Sequence, residues 1–416
     1  MNNDFLRIAF IHPDLGIGGA ERLVVDAALY LQRAGHKVTV FAGHHDKNYC
    51  FEETRDGTLD VRSYRSLFPT HIAQRLRACC ALIRTSYLAL ILGLRGGYDI
   101  IFCDLIPHVI PILRFLTGAR VVYYCHYPDS YPAQSIYRDN FFYRLYRGPI
   151  DRLEQAGIAA AARVLTNSRF TAARCRKAYP RLKSVPVEVV YPGVDPALYR
   201  APAGRQDDAG DVTLLSINRF VRFKNIGLAI EALALLGDSL PAATFRRVRL
   251  VLLGAYDVRL RESRELLGEL EAAVKKFHLQ GHVDFKLSCP ESERLALLSG
   301  CRGFIYTPDE EHFGFGPVEA MAAGRPVVAV ASGGPMETVI DGVTGLLCPP
   351  TPRAFAAAME KLILDPEAAD RMGRAGRRRM SEEFSLESFG RRLEAVLRDV
   401  ARGALKERRE RTALSP

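Results

Sequence analysis

Short apolar runs recur along the chain, each closed by a turn rich in glycine, proline or aspartate and followed by a longer segment with helical spacing. The first run covers residues 6–12. It leads through Pro13-Asp14-Leu15-Gly16-Ile17-Gly18-Gly19 into an amphipathic helix over 20–34, which Gly35 stops, and a second strand over 36–43. A β–glycine loop–α–β opening of this kind is the phosphate- and ligand-binding device of doubly wound sheets. Further strands are expected at 98–104, 120–127, 163–168 and 187–191, with a polar-aromatic stretch at 137–146 leading into a helix that ends at Ala162. Residues 192–211, rich in proline, glycine and aspartate, read as an interdomain linker. Beyond it the rhythm restarts. Strands at 212–218, 249–254, 283–285, 303–306 and 326–330 alternate with helices, among them 225–236 and 261–277. The alternation predicts an α/β protein built from two Rossmann-like, doubly wound parallel-sheet domains facing one another across a cleft. The expected boundaries are 1–195 for the first domain and 211–385 for the second. A last helix and basic tail, 386–416, is expected to cross back to the first domain.

The densest chemistry lies in 311–330, EHFGFGPVEAMAAGRPVVAV, where Glu311 and Glu319 stand eight residues apart around Gly314-Phe315-Gly316-Pro317. Proline has a fixed φ and no N–H to lose, so Pro317 suits the first helical position. That puts Glu319 in the first turn of a helix over 318–323, with Gly324 as its C-cap and Glu311 in the loop before it. Backbone N–H groups of Phe313, Gly314, Phe315 and Gly316 at the positive end of that helix suit an anion such as a diphosphate. The two carboxylates are spaced to grip two parts of one long ligand, such as the two sugars of a sugar nucleotide; the same pattern also fits a capped helix with two solvated glutamates.

Other candidates sit where strands should end. Arg219 and Lys224, in RFVRFKN, follow a strand and precede a helix, where an arginine fork and a lysine point charge suit a diphosphate. His126, in YCHYPD, closes another strand at the ligand-facing rim; it fits a hydrogen-bonded loop histidine as well as a functional one. The Gly16-x-Gly18-Gly19 turn is not the G-x-G-x-x-G dinucleotide fingerprint, and no acidic residue closes the second strand, which disfavours a nicotinamide cofactor.

Composition narrows the class. With 416 residues, 48% hydrophobic and 25% charged, the chain is globular and long enough for two cores. A net charge of +10 points to an anionic partner, although the arginines at 374–392 read as a solvated helix face and nucleic acid is not expected. Nine cysteines, with no C-x2-C pair, read as reduced thiols in a cytosol-facing environment. No signal peptide is expected, because 6–12 is already a strand. Residues 78–94, ACCALIRTSYLALILGL, are apolar but for Arg84, Thr85 and Ser86, and fit either a buried domain helix or a helix lying on a membrane surface.

Taken together, Glu311-x7-Glu319, Arg219 with Lys224, and Gly18-Gly19-Ala20-Glu21 resemble the family-four retaining glycosyltransferases of GT-B architecture, over nearly the whole chain and in the same order. IHPDLGIGGAERLV, YCHYPD, YRGPID, TNSRFTA, SINRFVRFKN and the EHFG loop are similar to the mannosyltransferases of dolichol-linked oligosaccharide assembly. The resemblance implies transfer from GDP-mannose to Man-GlcNAc2-diphosphate-dolichol, adding an α-1,3 and then an α-1,6 mannose at the cytosolic face of the endoplasmic reticulum membrane, with other mannosyltransferases of that pathway as possible partners. It implies that Arg219 and Lys224 hold the diphosphate, Glu311 and His126 contact the transferred sugar, and Glu319 contacts the ribose. The amides of Phe313, Gly314, Phe315 and Gly316 would meet sugar and phosphates, and Gly18 and Gly19 would let the loop approach the diphosphate. With no Asp-x-Asp motif after a strand, neither a metal nor another cofactor is expected. A related enzyme with another donor or acceptor, and a non-catalytic membrane-bound subunit, are the alternatives; the latter predicts loss of these residues, all of which are present.

Overall fold

A computed structural model describes residues 5–69, 71, 77–128, 141–199 and 210–413. The chain divides into two compact units, residues 1–193 with 386–416, and residues 194–385.

Unit 1 is built on a seven-stranded parallel sheet in the order β3-β2-β1-β4-β5-β6-β7. The strands are β1 (Arg7–His12), β2 (Lys37–Ala42), β3 (Asp60–Ser63), β4 (Ile100–Asp104), β5 (Arg120–Cys125), β6 (Arg163–Thr166) and β7 (Val187–Val189). The central strands are apolar at nearly every position because helices cover both faces. On one face lie α1 (Gly19–Arg33) and the helix Leu386–Ala413, whose Phe389, Leu393 and Leu397 join Phe10, Phe102 and Tyr124 in one core. Gly390 is glycine for a packing reason: a Cβ there would fall 2.1 Å from the Tyr30 ring. On the other face α2 (Arg77–Arg95) contributes Leu88, Ala89 and Leu92 against Phe41, Ile101 and Cys103.

Unit 2 is a six-stranded parallel sheet, β10-β9-β8-β11-β12-β13. Its strands are β8 (Val212–Ile217), β9 (Val248–Gly254), β10 (Val283–Leu287), β11 (Gly303–Tyr306), β12 (Val327–Val330) and β13 (Gly345–Cys348). The helices Gly227–Ser239 and Pro352–Leu364 pack against each other over its core through Ile230, Leu233, Phe355 and Met359.

Several boundaries depart from the sequence expectation. The edge strands β3 and β13, four residues each and only partly buried, are too short for the apolar-run criterion, and β3 is also polar. The helix expected to begin near Pro149 begins at Phe141 and carries Pro149 inside it. Within the expected linker 192–211, Pro196–Tyr199 forms a 3-10 turn that buries Tyr199, while 200–209 lie outside the described residues. Residues 129–140, with Asp129 and part of the aromatic stretch 137–146, also lie outside them, as do 414–416. Gly35 and Gly324 do end their helices: both take positive φ, and the next two N–H groups reach back to Gln32 and Leu31, and to Met321 and Ala320.

Candidate active site

Both sheets reverse direction at their middle. In unit 1 the chain leaves β1 for β2 on one side and returns as β4 on the other; β8 and β11 stand in the same relation in unit 2. The crevice at the carboxyl ends of such a strand pair is where open α/β sheets bind ligands.

In unit 2 that crevice holds Lys224 and Glu311. Lys224 ends a 3-10 turn, Arg222–Lys224, that follows β8; Asn225 beside it takes φ +47°, a left-handed conformation that Asn tolerates. Glu311 follows β11. Thr307, fully buried, donates its hydroxyl to the Lys224 carbonyl at 2.8 Å and so ties the two loops together. Lys224 Nζ donates to Glu311 Oε2, and Tyr306 donates its hydroxyl to the same oxygen at 3.0 Å. Burial pushes the Glu311 pKa up, but the Lys224 charge and these hydrogen bonds override it and hold the carboxyl below the ordinary glutamate value. The loop is wedged in place from behind: a Cβ at Gly334 would lie 2.3 Å from the Phe313 carbonyl oxygen, and Gly334 N–H donates to the Glu311 carbonyl at 2.7 Å.

The helix after this loop corrects the expectation. It spans Phe315–Ala322 behind Gly314, which takes φ +87°, so it starts two residues before Pro317. Pro317 is its third residue and Glu319 lies in the second turn, not the first. Glu319 accepts from Arg294 Nη1 at 2.9 Å and from the Tyr199 hydroxyl at 2.9 Å. Arg294 also grips Glu291, with Nε and Nη2 at 2.8 and 2.6 Å. Burial raises the Glu319 pKa and the Arg294 charge opposes it. Phe313 is buried against Phe315 and Phe384, whereas Phe315 is exposed. Arg219 is exposed after β8 and forms no ion pair among the described residues, whereas Lys224 is paired with Glu311.

Unit 1 contains a constellation that the sequence only half reveals. His126 follows β5, and its Nε2 lies 2.9 Å from Asp104 Oδ1. Asp104 closes β4, fully buried, and its other oxygen lies 3.0 Å from Nδ1 of His12, which closes β1. His12 Nε2 lies 3.6 Å from Glu21 in the first turn of α1. Burial alone would strip the proton from His12, but Asp104 and Glu21 outweigh it and raise the pKa to about 9. Burial would likewise protonate Asp104, yet the two histidines hold it at about 2. The backbone after Asp104 is strained: Leu105 takes φ +61° and Ile106 N–H returns to the Asp104 carbonyl at 2.8 Å. A Cβ at Gly18 would strike Glu21 Oε2 at 2.2 Å, so that glycine makes room for the chain's own carboxylate; at Gly19 a Cβ would meet nothing within 4 Å. Among the described residues no three His, Cys, Asp or Glu side chains form a metal-binding cluster.

Residues 17–198 match the model described as Glycosyltransferase Family 4, and residues 202–379 that of Glycosyl transferases group 1. Sucrose-phosphate synthase from Thermosynechococcus elongatus superposes with a TM-score of 0.75 at 24% identity, covering 95% of this chain and 99% of that one. WaaG, a glycosyltransferase of lipopolysaccharide biosynthesis, superposes with a TM-score of 0.65 at 16% identity, covering 94% and 99%. Two parallel-sheet units with polar side chains gathered at each switch point are those of a GT-B glycosyltransferase. The alpha-1,3/1,6-mannosyltransferase ALG2 of Rhizomucor pusillus is 40% identical over 95% of this chain and 92% of its own length, and that of Homo sapiens 39% over 92% and 93%. The chain belongs to the ALG2 alpha-1,3/1,6-mannosyltransferase family.

Proposed function

We propose that the chain takes mannose from GDP-mannose and transfers it, with retention of configuration, to Man-GlcNAc2-diphosphate-dolichol, forming the α-1,3 and then the α-1,6 linkage at the cytosolic face of the endoplasmic reticulum. The Lys224–Glu311 pair at the switch point of unit 2 carries this reading. Glu311 is ionised and uses one oxygen for Lys224 and Tyr306, which leaves acceptor capacity for sugar hydroxyls. A carboxylate so engaged is a poor nucleophile, which favours same-face attack by the acceptor hydroxyl. The bond from the mannose anomeric carbon to the diphosphate breaks, the acceptor oxygen bonds to that carbon, and its proton passes to the departing phosphate.

Lys224 keeps two N–H donors beyond Glu311, and Arg219 keeps its whole guanidinium, so both serve the diphosphate as negative charge grows on it. Glu319, braced by Arg294 and Tyr199, takes the ribose hydroxyls; the amides of Phe313, Gly314, Phe315 and Gly316 meet sugar and phosphate; His126 meets the transferred sugar, and Gly19 admits the diphosphate. Positive charge comes from side chains in this scheme, and no metal is required. The acceptor reaches the site from the bilayer along α2. Leu88, Ala89 and Leu92 of α2 are buried in unit 1, while Ile83, Tyr87, Leu90 and Leu94 form an exposed apolar stripe on the opposite face. In this scheme the helix, packed on its domain along one face, lies on the membrane surface.

Detergent-purified protein, GDP-mannose and a phytanyl- or dolichyl-diphosphate Man-GlcNAc2 acceptor, incubated with EDTA and analysed by mass, test this. Two successive hexose additions are expected. An unchanged acceptor with GDP-mannose binding intact would overturn the acceptor assignment, and transfer restored only by a divalent cation would overturn the metal-free scheme.

A further inference from the structure

At the foot of α2, on the sheet face that this helix covers, a cavity of about 360 Å³ is lined by Arg7, Lys37, Thr39, Arg62, Arg95 and Tyr98 together with Gly96. It lies at the amino ends of the strands: Arg7 and Lys37 are the first residues of β1 and β2, paired in register, and Arg95 is the last residue of α2. The ligand-binding rim, where His12 and Asp104 stand, is at the opposite ends of those strands. Four cations therefore converge far from the reaction that the family performs.

The balance of charge at this cavity is lopsided. Asp60 is committed to Arg62, with Nε and Nη2 at 3.2 and 2.8 Å, and to the Thr39 hydroxyl at 3.0 Å. Asp99 is committed to the Arg7 backbone N–H at 2.8 Å. The side chains of Arg7, Lys37 and Arg95 form no ion pair among the described residues. They are held instead by packing. Arg95 lies over the Tyr64 ring at 5.0 Å and Lys37 over the Phe5 ring at 5.0 Å, while Gly97, at φ +76°, leaves the space into which Arg7 folds. Cations placed by rings and glycine, with only Asp60, already engaged by Arg62 and Thr39, to offset them, suit a multiply charged or phosphate-bearing anion. The exposed stripe of α2 ends at Leu94, whose neighbour Arg95 lines the cavity, so apolar surface runs directly into the cationic one.

We propose that this cavity takes the phosphate of an acidic membrane phospholipid, anchoring the far end of α2 while its apolar stripe lies among the acyl chains. The proposal rests on the reading of α2 as a membrane-lying helix. Both ends of the helix then touch the bilayer, the amino end toward the catalytic rim and the carboxyl end through the phosphate.

The test is co-sedimentation of the full chain with vesicles of phosphatidylcholine alone or with one fifth phosphatidylserine. Each cation beside an acidic surface strengthens binding about fivefold, so Arg7→Gln/Lys37→Gln/Arg95→Gln should lose about 100-fold on acidic vesicles and little on neutral ones. Lys37→Gln alone should lose about fivefold, which keeps the test open if the triple variant fails to fold. Arg33→Gln/Arg176→Gln/Lys177→Gln, which removes three exposed cations of the same unit outside the cavity, should lose much less. Equal losses for the two triple variants would mean diffuse surface attraction and overturn the proposal. So would release of the protein from acidic vesicles by millimolar inorganic phosphate at constant ionic strength, which would assign the cavity to a soluble anion. Leu90→Glu/Leu94→Glu tests the underlying reading separately, and undiminished binding to neutral vesicles by that variant would remove the membrane helix itself.

Discussion

Asp104→Asn isolates the buried network of unit 1. Asparagine keeps the shape of the carboxylate and its place between the two histidines but removes the larger of the two charges, Asp104 and Glu21, that keep His12 protonated. His12 is fully buried, and its pKa rises from an ordinary 6.5 to about 9 in the folded chain. A raised pKa of this kind stabilises the fold fully below pH 6.5, and the stabilisation disappears as pH rises through 9. At 1.36 kcal/mol per unit it is about 3 kcal/mol near pH 6, about 2 near pH 7.5, and nearly nothing by pH 9.5. The lowered pKa of Asp104 comes from His126 as well as His12, and the share that His12 supplies is the same contact and is not added. Asp104→Asn should therefore unfold more readily than the parent by roughly 3 kcal/mol at pH 6, with the gap closing steadily toward pH 9.5. The chain has no tryptophan, so urea titrations followed by circular dichroism at several pH values are the suitable measurement. The two units can unfold separately, and the shift belongs to the transition of unit 1. A gap that stays constant with pH, or a variant as stable as the parent at pH 6, would refute a His12 imidazolium held by Asp104.

Four further substitutions probe unit 2. Lys224→Met leaves Glu311 buried beside Tyr306 alone; transfer should fall at least about 100-fold, stability should drop by about 3 kcal/mol at pH 7.5, and the deficit should shrink as pH falls and the carboxyl protonates, which thermal midpoints between pH 5 and 7.5 measure. Arg219→Gln should leave stability within about 0.5 kcal/mol, since the side chain is exposed. Its affinity for GDP should fall about tenfold while that for guanosine holds, and calorimetry showing equal losses for both ligands would reject the diphosphate role. Gly334→Ala forces a methyl group against the Phe313 carbonyl and should cost about 1–3 kcal/mol together with most activity; Gly268→Ala, in an exposed helix with open space around it, should stabilise by about 0.5–1 kcal/mol and leave turnover unchanged.

The fold was legible in the sequence because parallel strands buried on both faces leave uninterrupted apolar runs, and glycines in the left-handed conformation mark where α1 and the helix Phe315–Ala322 end. The candidate site residues of unit 2 could be named from the sequence, but their partners could not. The eight-residue spacing says nothing of Arg294 or Tyr199, which reach Glu319 from elsewhere in the chain. Pro317 pointed to a helix start, yet Gly314 with its positive φ sets the start earlier, and proline is equally tolerated within the first turn. Asp104 and His12 went unnoticed although each left a trace: both are charged or polar residues closing an otherwise apolar run, IIFCD and IAFIH, at the ligand-facing end of a central strand. What no local pattern could supply is that β1 and β4 are neighbours, because residues 13–99 separate them in the chain and only the strand order brings them together.

That strand order repeats, and so does the chemistry at its switch point. In unit 1 the first strand ends in His12 and its neighbour after the crossover in Asp104; in unit 2 the turn after the first strand carries Lys224 and the loop after its neighbour carries Glu311. The two pairs differ in access. His12 and Asp104 are sealed, with side chains 1% and 0% exposed, whereas Lys224 and Glu311 are 12% and 13% exposed. A sealed ion pair loses several kcal/mol if either partner is taken away, so it stays fixed and can only orient what touches it, here His126 through Asp104. A pair with some access to solvent can exchange its partner for a ligand group. A phosphate arriving at Lys224 would find donors already present, and a sugar hydroxyl arriving at Glu311 a carboxylate already ionised.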